Sequence, residues 1–119
     1  MSDPSSEHCL FCRIVSGDVP ADVIARNDHA VGFRDISPVA PTHVLVIPRT
    51  HHANLGEVAA AEPDTLIGMV QLAREIASAD GVADEGYRLV ANTGAAAHQT
   101  VFHAHLHVLG GRSMGWPPG

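Results

Sequence analysis

Apolar and polar positions recur along this chain with two periods, and the period tells its elements apart. From His8 to Ser16, Leu10, Phe11, Ile14 and Val15 fall at helical spacing, and Gly17-Asp18-Val19-Pro20 ends the run. Val23-Ile24-Ala25-Arg26 and Ala30-Val31-Gly32-Phe33-Arg34 predict two strands, with Asn27-Asp28-His29 as the hairpin turn between them. The prolines of Ser37-Pro38-Val39-Ala40-Pro41 forbid a regular element there. Thr42 to Ile47, rich in β-branched residues and closed by Pro48, predicts a third strand. The longest pattern runs from Glu62 to Ala79, where Leu66, Met69, Val70, Ala73, Ile76 and Ala77 form one helical stripe. Pro63 and Asp64 suit its first turn, and Asp80-Gly81 stops it. Tyr87 to Ala91 reads as a fourth strand, Asn92 to Gln99 as a loop of small residues, and Val101 to Leu109 as a fifth strand. Strands with tight links and segregated helices predict an α+β domain on an antiparallel meander. Residues 1–7 read as a flexible tail and residues 8–119 as a single domain.

Length and charge narrow the partners. A chain of 119 residues holds one core and not two. Seven basic against thirteen acidic residues give a formal net charge of −6. That balance argues against a nucleic-acid polymer or an anionic membrane surface as partner, but a local pocket can still take a small anion. No apolar stretch approaches the ~20 residues that span a bilayer. The polar, acidic start Met1-Ser2-Asp3-Pro4-Ser5-Ser6-Glu7 has no secretory pattern, so a cytoplasmic location is expected.

The chemistry concentrates in Val101-Phe102-His103-Ala104-His105-Leu106-His107-Val108-Leu109. On a strand, alternate residues share a face, so His103, His105 and His107 would project together, roughly 7 Å apart. Phe102, Ala104, Leu106 and Val108 would pack on the other face. One histidine on a strand is usually a hydrogen-bonded structural residue. Three on one face each need partners for two ring nitrogens, which makes a purely structural role hard to satisfy. Two chemistries remain. A histidine pair can chelate zinc, but a hydrolytic metal site usually enlists a carboxylate, and nothing acidic lies between Glu85 and the C-terminus. Asp35 or another distant acid would have to supply it. A histidine attacking phosphorus needs an unprotonated nitrogen, donors around the non-bridging oxygens, and an acid at the leaving group. The upstream Asn92-Thr93-Gly94 and Gln99-Thr100 provide candidate donors beside a flexible loop.

The His103–Leu109 segment resembles the His-φ-His-φ-His-φ-φ motif of the histidine triad superfamily, where φ is apolar. Phe33-Arg34-Asp35-Ile36-Ser37-Pro38, Ala40-Pro41-Thr42-His43, Val46-Ile47-Pro48, Gly86-Tyr87-Arg88 and Trp116-Pro117-Pro118-Gly119 are similar to the Hint branch, the histidine triad nucleotide-binding proteins. The likeness runs from about Leu10 to the C-terminus. It implies a five-stranded antiparallel sheet with two helices, joined to a second copy's sheet in a homodimer, with the Trp116 tail reaching toward the partner's site. It implies a purine nucleoside phosphoramidase that releases a nucleoside monophosphate from a 5′-phosphoramidate and requires no metal for catalysis. A dinucleoside polyphosphate hydrolase and a nucleotide-binding module without turnover are the alternatives. By position, His105 would be the nucleophile, His107 would contact the phosphate and assist the leaving group, and His103 and His43 would orient His105. Asn92, Gln99 and Thr100 would bind phosphate, Asp35 the ribose hydroxyls, and Leu10, Phe11, Ile14, Val19, Phe33 and Ile36 the base. The chain departs from the family at Ala95-Ala96-Ala97-His98, where Hint proteins usually carry glycines.

Cys9 and Cys12, the only cysteines, stand in a C-x-x-C spacing. They suit small apolar fillers on a helix, or half of a structural zinc site. Some bacterial histidine triad proteins pair such cysteines with two histidines, which correspond here to His51 and His103. His8, His52 and His98 are alternatives. A closed four-ligand site of that kind would not be the catalyst.

Overall fold

The structure, a computed structural model, describes residues 8–119; the tail predicted at residues 1–7 lies outside the described residues. Five strands, β1 (Val23–Arg26), β2 (Ala30–Arg34), β3 (Thr42–Pro48), β4 (Tyr87–Val90) and β5 (Leu106–Gly110), form one antiparallel sheet in the order β1-β2-β3-β5-β4. The expected meander holds only for the first three. The chain leaves β3, crosses over one strand position to lay down the edge strand β4, and returns as β5 to fill the gap.

The sheet is covered on both faces. On β3 every residue is buried, because Val44 and Val46 face one helix while Leu45 and Ile47 face another. The first layer is helix α3 (Pro63–Ala79), whose Met69, Leu72, Ala73 and Ile76 pack on Val44, Val46, Leu106 and Val108. The second is the short helix α1 (Leu10–Ser16), whose Phe11 and Ile14 pack on Val31, Phe33, Leu45 and Ile47. Two glycines permit the α3 contact. A Cβ on Gly32 would stand 2.7 Å from Ile76 Cδ1, and one on Gly68 would stand 2.7 Å from the His29 ring.

Three elements differ from the sequence expectation. A third helix, α2 (Leu55–Ala61), occupies a stretch for which no element was predicted, so the helices number three rather than two among the described residues. Seven residues are too short to show a period, but Asn54 caps the helix by accepting the Glu57 N–H at 3.0 Å, an Asn-x-x-Glu signal legible in the sequence. Helix α1 begins at Leu10 rather than His8 because Cys9 is its cap, with Sγ accepting the Cys12 N–H at 3.3 Å. The fifth strand begins at Leu106, not Val101. Residues 101–105 are irregular, and Phe102 lies half exposed instead of packing with Ala104, Leu106 and Val108.

Candidate active site

Helix α1, the Val19–Asp22 turn, the end of β2 and the irregular stretch before β5 enclose a cleft of about 350 Å³. All six residues expected to receive a base line it: Leu10, Phe11, Ile14, Val19, Phe33 and Ile36. Asp35, Thr100, His105 and His107 line it too. Pro20, Ala21, Asp22, Arg34, Leu45 and Val101 complete the wall and were not anticipated. Arg34 is held by Asp80, which accepts both guanidinium nitrogens at 2.9 Å and the Thr42 hydroxyl at 2.9 Å.

Main-chain groups determine where His105 and His43 carry their protons, and His43 in turn determines it for His107. The His103 carbonyl lies 2.8 Å from His105 Nδ1 and can only accept, so His105 is protonated at Nδ1 and Nε2 keeps its lone pair. The Val39 N–H donates to His43 Nδ1 at 3.1 Å, which puts the His43 proton on Nε2. That N–H donates to His107 Nδ1 at 2.9 Å, with Asp35 Oδ2 beside it at 3.4 Å. His107 is thereby left with its proton on Nε2. An unprotonated nitrogen on His105 and an N–H on His107 thus stand on neighbouring rings, with centroids 5.1 Å apart, in one cleft. Burial, with the neighbouring His105 and His43, pushes His107 down to about 4, so it is neutral at pH 7. Burial also lowers His43, against the opposing pull of Asp35.

Asp35, His43 and His107 also have the proximity of a metal trio. The tautomer argues against that use. Val39 occupies the His43 Nδ1 lone pair, so a cation on Nε2 would require an imidazolate.

Two expected phosphate ligands are placed differently. Gln99 is buried, and its amide is spent on the chain: Oε1 accepts the Gly94 N–H at 2.9 Å, and Nε2 donates to the Ala53 and Val101 carbonyls at 2.7 and 3.0 Å. It holds the loop rather than lining the cleft. Asn92 is half-buried and also lies outside the cleft wall. His98 is exposed and takes a left-handed conformation at φ 65°, after a 3₁₀ turn at Ala95–Ala97.

His103 faces away from the cleft. Its Nε2–H donates to the Pro48 carbonyl at 3.0 Å, which leaves Nδ1 as a lone pair. That nitrogen is 3.2 Å from Cys9 Sγ, 3.4 Å from Cys12 Sγ and 3.2 Å from His51 Nδ1, and Cys12 Sγ is 3.4 Å from His51 Nδ1. In a tetrahedral zinc site the ligand–ligand edges are about 3.3–3.8 Å, given the usual metal–sulfur and metal–nitrogen bonds. The four side chains expected for a metal are therefore brought together with a suitable donor set and spacing. His8, His52 and His98 are not in this group among the described residues. Burial and Cys9 push the Cys12 thiol up to about 12, so a cation would be needed to draw off its proton at neutral pH.

An antiparallel sheet that feeds alternate histidines from the approach to its fifth strand into an apolar cleft defines a histidine triad protein. The chain belongs to the HIT domain family, whose match covers residues 16–114. It is 49% identical to an uncharacterised HIT-like protein of Synechococcus elongatus, over 96% of this chain and 99% of that one. It is 40% identical to the purine nucleoside phosphoramidase of Escherichia coli K12, over 92% of each chain. Among solved structures, a HIT family hydrolase from Legionella pneumophila superposes with a TM-score of 0.88 at 45% identity, covering 93% of this chain and 99% of that one.

Proposed function

We propose that this protein is a hydrolase of purine nucleoside 5′-phosphoramidates. The observation that carries the reading is the His105 tautomer: its Nδ1–H is held by the His103 carbonyl, which leaves Nε2 free toward the cleft. In this reading Nε2 attacks the α-phosphorus, and the phosphorus–nitrogen bond to the amine breaks. The departing amine takes the His107 Nε2 proton while the His43 N–H stays hydrogen-bonded to His107 Nδ1. Water then attacks the nucleotidyl-histidine and gives a proton back to His107 Nε2, and the nucleoside monophosphate leaves with His105 and His107 restored. Thr100 donates to the phosphate, Asp35 accepts from the ribose hydroxyls, and the apolar wall holds the base. The 40% identity to a purine nucleoside phosphoramidase supports the substrate class.

We further assign Cys9, Cys12, His51 and His103 to a structural zinc, which would cross-link α1 to the approach of β5 and take no part in bond breaking. Two free thiols suit a reducing, cytoplasmic setting, and no helix among the described residues is long and apolar enough to cross a membrane. A homodimer completes the reading. The edge strand β4 leaves Leu89 partly exposed, and Arg88 ties the C-terminal tail to this edge by donating to the Gly115 carbonyl at 2.9 Å.

The test is incubation with adenosine 5′-phosphoramidate while AMP is measured. Wild type releases AMP, and His105→Ala loses at least a thousandfold in rate. Equal release by both would refute attack by His105. Tight AMP binding by wild type without turnover would instead identify a binding module.

A further inference from the structure

The nucleophile does not stand on a strand. Sheet pairing begins at Leu106, so His105 belongs to an irregular stretch whose position depends on other attachments. Those attachments run to one neighbouring segment and to α1. The Ala104 N–H donates to the His52 carbonyl at 2.7 Å, and His103 Nε2–H donates to the Pro48 carbonyl at 3.0 Å. The Phe11 ring meets His103 edge-on at 5.8 Å and His105 at 5.3 Å. Cys9 and Cys12 bracket Leu10 and Phe11 in the chain, so the two sulfurs flank the two residues that wall the cleft. The His103 side chain meets these sulfurs while its carbonyl holds the His105 proton. One residue thus links the cluster to the nucleophile's tautomer.

We propose that Cys9, Cys12 and His51 are positioning residues for the reaction: through the metal they share with His103, they set the tautomer and placement of His105 and the stance of the Phe11 wall. The proposal rests on the zinc assignment and the hydrolase reading above. Thiols are weak donors. Without a cation, only such contacts restrain the His103 ring on its Nδ1 side and the His51 ring beside it, and the peptide that carries the His103 carbonyl is held, through the Ala104 N–H, by the carbonyl of His52, the residue next to His51. Metal ligation replaces them with bonds of fixed length and direction. Metal loading then governs affinity and turnover together, although no reacting atom touches the metal.

The experiment compares the full chain in zinc-loaded, chelator-stripped and cadmium-loaded forms, with Cys12→Ser as a variant. The readouts are bound metal per chain, the His105 tautomer by ¹⁵N NMR, the Kd for AMP, and kcat and KM for adenosine 5′-phosphoramidate. The expected result is one metal per chain. Stripping, or Cys12→Ser, turns a single His105 Nδ1–H tautomer into a mixture, weakens AMP binding at least tenfold and lowers kcat at least tenfold; added zinc restores the stripped protein. Where stripping unfolds the chain, the larger cadmium ion decides, since it keeps the site filled and is expected to shift the His105 ring resonances and the Kd. Unchanged tautomer and Kd in stripped, folded protein would overturn the proposal, and so would identical values with the two metals. Failure to bind metal would overturn it and leave the hydrolase reading standing. Metal-dependent tautomer and affinity without phosphoramidate turnover would support positioning and sink the hydrolase reading.

Discussion

Four imidazoles in this protein owe their proton positions to main-chain groups. Val39 N–H, His103 C=O and Pro48 C=O assign His43, His105 and His103, and His43 in turn assigns His107. This makes the cleft sensitive to acid. His107 binds its proton only near pH 4 when folded, against about 6.5 for an exposed histidine, because burial disfavours its charge. Between those values the unfolded chain holds more protons than the folded one, so stability is full above about pH 6.5 and declines as pH falls toward 4. The contribution is on the order of 2 kcal/mol after screening at the open cleft. Urea titrations across this range should show a shallower pH dependence in His107→Asn than in wild type. His98 makes a separate case. Its left-handed backbone costs a side-chain-bearing residue about 1–2 kcal/mol, and the greater freedom of an unfolded glycine offsets about 0.5–1 kcal/mol of any relief. His98→Gly should therefore stabilise the fold by about 0.5–1 kcal/mol, read as a raised urea midpoint at constant slope.

At the scale of elements, α3 is pinned to the sheet face opposite the cleft. Asp80, just past the end of α3, accepts from Arg34 on β2 and Thr42 on β3, so a single carboxylate ties one helix end to two strands. Arg34 also lines the cleft, next to Asp35. Asp80→Asn keeps the shape but loses the charge-assisted pair, and should cost about 1–3 kcal/mol by urea denaturation. The elements also show what patterning can and cannot reveal. Helix α3 was legible because seventeen residues carry a full apolar stripe between a Pro63 start and an Asp80-Gly81 stop. Helix α2 was not, since two turns hold too few apolar positions to establish a period. The fifth strand was overextended because His103 to Val108 alternates as a strand would. Alternation records which face each side chain takes, and that part held from His103 onward but not at Phe102: Ala104, Leu106 and Val108 join the α3 layer, while His103 and His105 meet Phe11 of α1. It does not record whether a partner strand is present to pair with.

At the scale of the whole molecule, the sheet ends in two edge strands, β1 and β4, and the proposed assembly would join copies at β4. Light scattering should give twice the chain mass at micromolar concentration; a monomer mass would refute the homodimer. The site divides along the same lines as the fold. The row of histidines and the cysteine pair were readable from the sequence as residue types at diagnostic spacing, whereas Asp35 and the apolar residues of α1 and β2 were named only through the family resemblance, since by pattern alone the apolar positions read as core. Gln99 was expected at the phosphate, and the structure pairs its buried amide with the Gly94, Ala53 and Val101 main chain, a partnership that no spacing in the sequence records. By itself the sequence determined the chemistry available: which side chains are present, which share a face, and that three histidines exceed what structure alone requires. Tertiary structure alone decided the division of labour among them. Which ring nitrogen bears a proton depends on which carbonyl or amide the fold brings within about 3 Å: Pro48 lies far along the chain from His103, and the nearby Val39 and His103 reach the rings of His43 and His105 only through the irregular turns that the fold imposes on those two stretches.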